Sequence, residues 1–286
     1  MKLRILTAIV GLPLVVVVLL YSDKIVLPIV LALASAIGEF EMLGCIGQRK
    51  KLEVTVPSLI YAAAVPFSAR YVVDFSERDS YFLAVFGVVT FIYMFYLMSL
   101  AVLSKGTKTI SDMTLTAATA LYITVGFSSM VMLRDMNYND NDFGFYIFML
   151  IFIGAWIPDG AGYFCGRAFG KHKLIPDVSP KKTVEGAIGG IVFGGLSFVA
   201  FGAIVGALTA LEPRYVSLAV TGCVVAVVSI FGDLIASLIK RQYGIKDYGK
   251  IFPGHGGVMD RFDSIIAIAP FLLMICSHPD IFKLFS

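Results

Sequence analysis

Residues 215–241 read YVSLAVTGCVVAVVSIFGDLIASLIKR, and from Tyr215 to Gly232 there is no charge. A bilayer core about 30 Å thick needs roughly 20 such residues in a helix, so the run reads as a membrane span. Asp233 near its end is a costly group that something must offset. If the stretch is helical, Asp233, Ser237 and Lys240 or Arg241 share one face, with the carboxylate about 10 Å below the cations. That spacing suits a metal ion and its phosphate ligand.

Working outward, the whole chain asks for the same solvent. Of 286 residues, 58% are hydrophobic and 15% charged, with a mean hydropathy of +0.86, which leaves too little polar surface to enclose the chain in water. Apolar segments of spanning length lie near 3–21, 24–44, 55–74, 80–103, 112–133, 144–165, 184–211, 215–239 and 262–285. The expected fold is all-α and polytopic, with about nine transmembrane helices. Lys2 and Arg4 precede the first segment, but Tyr21-Ser22-Asp23-Lys24 offers no small-residue cleavage site, so a retained helix is expected rather than a secretion signal. With the N-terminus cytoplasmic, only Lys24, Arg70, Arg78, Arg134, Arg214 and Lys283 of the 23 Lys and Arg fall outside, as the positive-inside rule requires. Cys45, Cys165, Cys223 and Cys276 are dispersed without a C-x-x-C pair and read as small buried residues.

No linker divides the chain, yet its halves differ. Residues 1–143, with five spans, read as scaffold. Residues 144–286, with four spans, hold the charged cytoplasmic loops where function is expected. Asp159 lies in Trp156-Ile157-Pro158-Asp159-Gly160, where the proline can open the helix. Ser179-Pro180-Lys181-Lys182-Thr183-Val184-Glu185-Gly186 resembles a helix start at Pro180, converging N–H groups and two lysines on a phosphate. After Lys246-Asp247, the glycines of Pro253-Gly254-His255-Gly256-Gly257 allow close backbone approach and an anion-holding concavity. Asp260 and Asp263 open the last span, able to turn back toward Asp233. Carboxylate ligands point to Mg²⁺ rather than zinc. His255 is read as a phosphate donor or loop-orienting residue, His172 and His278 as interfacial. Glu39 and Glu41 read as an interfacial pair matched with lysines.

The run of Ser237, Lys240-Arg241, Lys246-Asp247, Pro253 to Gly257 and Asp260-Arg261-Phe262-Asp263 resembles the signature of the phosphatidate cytidylyltransferases, also called CDP-diacylglycerol synthases. The Ser179 block and the stretch from Asp159 to Gly170 are similar to the family too, so the resemblance covers roughly residues 150–275. Gly160 departs from it, standing where a hydroxyl-bearing residue is expected. The resemblance implies transfer of CMP from CTP to phosphatidate, a divalent cation, a homodimer, and a bacterial inner-membrane enzyme whose site faces the cytoplasm. No nucleic-acid partner is expected. Asp233 and Asp260 are the expected metal ligands, and Asp233, Lys240, Asp260 and Asp263 the expected catalytic set. Asp159, Ser179, Lys181, Lys182, Thr183, Ser237, Arg241, Lys246, Asp247, His255, Gly256, Gly257 and Arg261 are expected around the substrates. Two competing readings are another lipid-phosphate enzyme, either a CTP-dependent polyprenol kinase or an isoprenoid-lipid cytidylyltransferase, and a transporter. Against a transporter, no convincing inverted repeat is present and the polar residues cluster on one side.

Overall fold

The structure, a computed structural model, describes residues 21–22, 25–70, 79–136, 143–252, 254, 256–277 and 283–285. The first expected span lies outside these residues except for Tyr21, and Pro253, His255 and His278 also lie outside them. The described helices are α1 (Val26–Cys45), α2 (Leu52–Ala69), α3 (Asp79–Leu103), α4 (Ile110–Arg134), α5 (Phe143–Phe169), α6 (Val184–Leu208), α7 (Tyr215–Gln242) and α8 (Met259–Cys276). Seven of them, α1 to α7, are long and apolar enough to cross a membrane. The chain is an all-α polytopic membrane protein. Large apolar side chains such as Val88, Phe91 and Phe95 on α3 and Val192 and Leu196 on α6 are exposed, as lipid-facing positions require. The last segment differs from expectation: α8 begins at Met259, ahead of residue 262, and ends at Cys276. Its first turns carry Asp260, Arg261 and Asp263, which makes it the most charged helix start in the chain's second half.

The chain divides into two compact units. One comprises the chain through Met136 together with Tyr243–Arg261, and the other runs from 137 through Gln242 and resumes at Phe262. In the first unit α1, α2 and α4 pack on one another around Met42, Leu43, Phe127 and Met130, all within 1% of full burial. Tyr61 and Tyr93 stack with centroids 4.4 Å apart, and their hydroxyls pair with Thr90 (2.9 Å) and Ser58 (2.7 Å). The expectation of lysine partners for Glu39 and Glu41 fails. Both are buried; Glu41 accepts hydrogen bonds from backbone N–H groups, and among the described residues neither oxygen of Glu39 has a partner. The helix carries both side chains inward, and away from water a carboxylate can be met by N–H groups without any cation.

In the second unit α6 packs between α5 and α7, and glycine makes this possible. A Cβ on Gly186 would lie 2.6 Å from the Gly162 carbonyl oxygen, and one on Gly222 would lie 2.7 Å from that of Gly194. Small residues at such crossings let backbones approach where lipid supplies no hydrophobic drive. Pro158 does not open its helix: α5 is continuous through it, and its ring lies against the α6 glycine face beside Gly194. Packing on α6 restrains the helix on both sides of the missing N–H. The expected helix start at Pro180 is also displaced. Ser179–Thr183 is strand β2, antiparallel to β1 (Lys173–Ile175), and α6 starts at Val184 with Thr183 as its N-cap. A two-stranded ribbon consists of edges, so Pro180 costs it no obligatory ladder bond.

Candidate active site

The second unit contains an open cavity of about 460 Å³ between α5, the β-hairpin, α6 and α7. Six expected site residues line it: Asp159, Ser179, Lys181, Lys182, Thr183 and Asp233. α5 and α7 supply the carboxylates, and the hairpin supplies two lysines. Lys182 Nζ stands 2.6 Å from Asp233 Oδ2, with both side chains about a quarter exposed, at 25% and 26%. An ion pair open to a cavity is held in place less firmly than a dry one, so either partner can be exchanged for an incoming charge. Asp263 joins this group from α8. A Cβ on Gly232 of α7 would lie 3.0 Å from the Asp263 carbonyl oxygen, and Ser264 Oγ donates to the Ser229 carbonyl at 3.2 Å. This contact brings Asp263 within electrostatic reach of Asp233, Asp159 and Lys240. Asp263 Oδ1 also accepts from the Ser264 N–H at 2.8 Å.

The start of α6 corrects the expected anion site. The Gly186 N–H donates to Thr183 Oγ1 (3.1 Å) and the Val184 N–H to the His172 carbonyl (2.9 Å), while Glu185, in the first turn, pairs with His172 Nδ1 at 2.7 Å. The helix terminus is therefore satisfied from within the chain, and the positive charge facing the cavity comes from the side chains of Arg167, Lys181 and Lys182 rather than from the helix dipole. Thr183 serves as a cap even though it lines the cavity. Gly162, Tyr163, Gly166 and Arg167 are among the lining residues that were not expected. Arg167 follows Asp159 at the interval at which Arg241 follows Asp233, a weak signal that ordinary helix ends also produce. A side chain at Gly160 would meet open space, so the departure at that position leaves no steric gap to explain.

The first unit treats its share of the signature differently. Asp260, on the first turn of α8, accepts through Oδ2 from the N–H groups of Tyr248 (2.8 Å) and Gly257 (3.0 Å). Glu41 on α1 accepts from the N–H groups of Val258 (3.1 Å) and Met259 (2.9 Å). A Cβ on Gly256 (φ 84°) would lie 2.7 Å from Asp260 Oδ2, and one on Gly257 would overlap the Glu41 carboxylate. The glycines expected to approach a ligand thus approach the chain's own carboxylates, and the Gly257 N–H is directed at Asp260 instead of at a substrate anion. Lys246, Asp247 and Arg261 are exposed in this unit, as is Arg241 at the end of α7, while Ser237 and Lys240 are half-buried on α7.

The donors available to a metal are carboxylate oxygens, which suit a hard cation. Among the described residues no three His, Cys, Asp or Glu groups form a ready-made cage. Mg²⁺ is commonly held by one or two carboxylates plus substrate phosphates, so Asp233, with Asp159 and Asp263 near it, fits a metal shared with a nucleotide.

Against known proteins, the model of the cytidylyltransferase family matches residues 2–278. The chain is 32% identical over 280 residues to the phosphatidate cytidylyltransferase of Bacillus subtilis, covering 96% of this chain and 97% of that one. It is 42% identical over 161 residues to the protein of that name from Brucella suis, covering 54% and 56% of the two chains. With the one from Aquifex aeolicus it shares 46% over 132 residues, 46% of this chain and 48% of that one. A match along nearly the whole chain, joined to a cavity that sets two lysines against two aspartates, places this protein in the cytidylyltransferase family of membrane nucleotidyltransferases.

Proposed function

We propose that the chain transfers CMP from CTP to phosphatidate, giving CDP-diacylglycerol and pyrophosphate. The carrying observation is the cavity in which Lys181, Lys182, Asp159 and Asp233 converge, and the names of the full-length relatives support the same reaction. A phosphate oxygen of phosphatidate attacks the α-phosphorus of CTP. A new P–O bond forms as the bond to the bridging α–β oxygen breaks, and pyrophosphate leaves with that electron pair. The nucleophile is already anionic, so no general base or covalent residue is required. The difficulty is bringing two polyanions together, and fixed cations at developing charge address it. Lys181 and Lys182, with Ser179 and Arg167, are proposed to hold phosphate groups in the cavity, and Lys240, Arg241 and Lys246 to clamp phosphate elsewhere in the signature. When phosphate enters, Lys182 exchanges Asp233 for it, and Asp233 becomes available to a cation. Mg²⁺ bound there would offset phosphate charge and withdraw electrons from the α-phosphorus. Asp260 is proposed to contribute its charge as well as its hydrogen bonds. The basic bias along the chain supports a position for these groups on the cytoplasmic face of a bacterial inner membrane, where CTP is available.

The test is a purified assay with phosphatidate and each of the four nucleoside triphosphates, following α- and γ-phosphate labels separately. Transfer of the α label to lipid, with the γ label released in pyrophosphate and CTP preferred, is the expected result. Transfer of the γ label to lipid with release of CDP would identify a lipid kinase instead.

A further inference from the structure

We propose that Glu41, in a helix remote in sequence from the signature, is a positioning residue for Asp260. This deepens the function proposed above and rests on it, because it makes a residue of α1 responsible for the placement of a signature carboxylate. The first N–H groups of a helix have no partner inside it. At α8 two N–H groups around its start, those of Val258 and Met259, are taken by the two oxygens of Glu41, 217 and 218 residues away in sequence. Glu41 is only 4% exposed, so water does not substitute for it. Two charge-assisted bonds from one carboxylate also fix direction as well as distance.

The surrounding chain is shaped to admit this carboxylate. A Cβ on Gly257 would overlap both of its oxygens, and a Cβ on Gly249 would overlap Oε1. One turn earlier on α1, Gly38 leaves room for the Met259 side chain: a Cβ there would lie 3.2 Å from its sulfur. Gly257 is therefore held from two directions. Its N–H donates to Asp260 Oδ2, and its Cα faces Glu41. Asp260 in turn receives the Tyr248 N–H, so the segment from Tyr248 to Asp260 is pinned at one end by Asp260 and at the other by Glu41. Removing Glu41 leaves buried N–H groups unpaired, which the loop can relieve only by moving. Gly257 and Asp260 move with it. The packing of α1 on α2 and α4 through Met42 and Leu43 does not depend on these bonds.

Glu41→Gln keeps the size of the side chain but turns an acceptor into an NH₂ facing an N–H, whereas Glu41→Asp keeps the charge with a shorter reach. The full-length protein in detergent micelles containing phosphatidate is assayed for CTP-dependent product formation. Hydrogen exchange is followed in parallel over residues 248–260 and over α4. The expected result for Glu41→Gln is exchange at least about tenfold faster in 248–260 with α4 unchanged, and a kcat lower by about 100-fold, the scale of a misplacement near 1 Å. Glu41→Asp recovers part of both, and Gly249→Ala, which crowds the same carboxylate, loses both. The proposal is overturned if Glu41→Gln keeps kcat within about threefold of the wild type, or if its loss comes with faster exchange across α4, the mark of a merely structural residue. The exchange arm needs no substrate. A wild type that makes no CDP-lipid while its loop behaves as expected would fault the functional reading and not the role of Glu41 in holding the loop.

Discussion

Asp233 and Asp260 belong to the same charged stretch of sequence, and the fold treats them in opposite ways. Asp260 is 9% exposed and gives one oxygen to two backbone N–H groups. Asp233 opens onto a cavity and is met by the side chain of Lys182. A carboxylate held by backbone is fixed before any ligand arrives. One held by a lysine on a hairpin can trade that partner for phosphate or metal. The charged stretch therefore combines a part that builds its own loop with a part that lines a cavity, and sequence spacing alone does not separate them.

Asp260→Asn breaks the comparison most sharply. The amide oxygen can still accept the Tyr248 and Gly257 N–H groups, so the protein is expected to insert and fold with an unchanged thermal midpoint. Turnover is expected to fall by about 1000-fold or more, because the charge is gone; near-normal turnover would reduce Asp260 to a loop-building residue. Lys182→Ala comes next, with kcat/KM for CTP lower by about 100-fold, and Lys182→Arg retains part of the activity if the role is phosphate binding. A smaller effect is expected at Thr183, which caps α6: Thr183→Ala costs about 1 kcal/mol of stability, read as a lower midpoint in detergent. Smallest is His172→Ala. His172 is 77% exposed and its pair with Glu185 lies at the surface, so kcat/KM should stay within about twofold. A large loss there would mean that the hairpin's attachment to α6 matters for catalysis.

Much of this was legible in the sequence. Seven of the expected spans were, among the described residues, because a helix in lipid must be apolar for its full length, as in Tyr215 to Gly232. Asp159, Ser179, Lys181, Lys182 and Asp233 were legible because charge and hydroxyl groups beside apolar runs need a reason, and the cavity brings these residues together. The hairpin was not: Ser-Pro before two lysines reads locally as a helix start, and only pairing with Lys173–Ile175 makes it a strand. Glu41 was hidden for a different cause. Its partners are backbone N–H groups more than two hundred residues away, and a backbone donor leaves no side-chain pattern to recognise. The same applies to Gly256 and Gly257, whose small size reads as room for a ligand until the carboxylates beside them are placed.

The central claim is that the lysine-paired aspartate of the cavity serves the transfer step. Its most direct test is the rate at which the α-phosphate label of CTP enters lipid, measured for the wild type and for Asp233→Asn at matched thermal stability. A fall of about 1000-fold or more is predicted, with Lys182 still present. A variant that transfers the label within about tenfold of the wild-type rate would contradict the account.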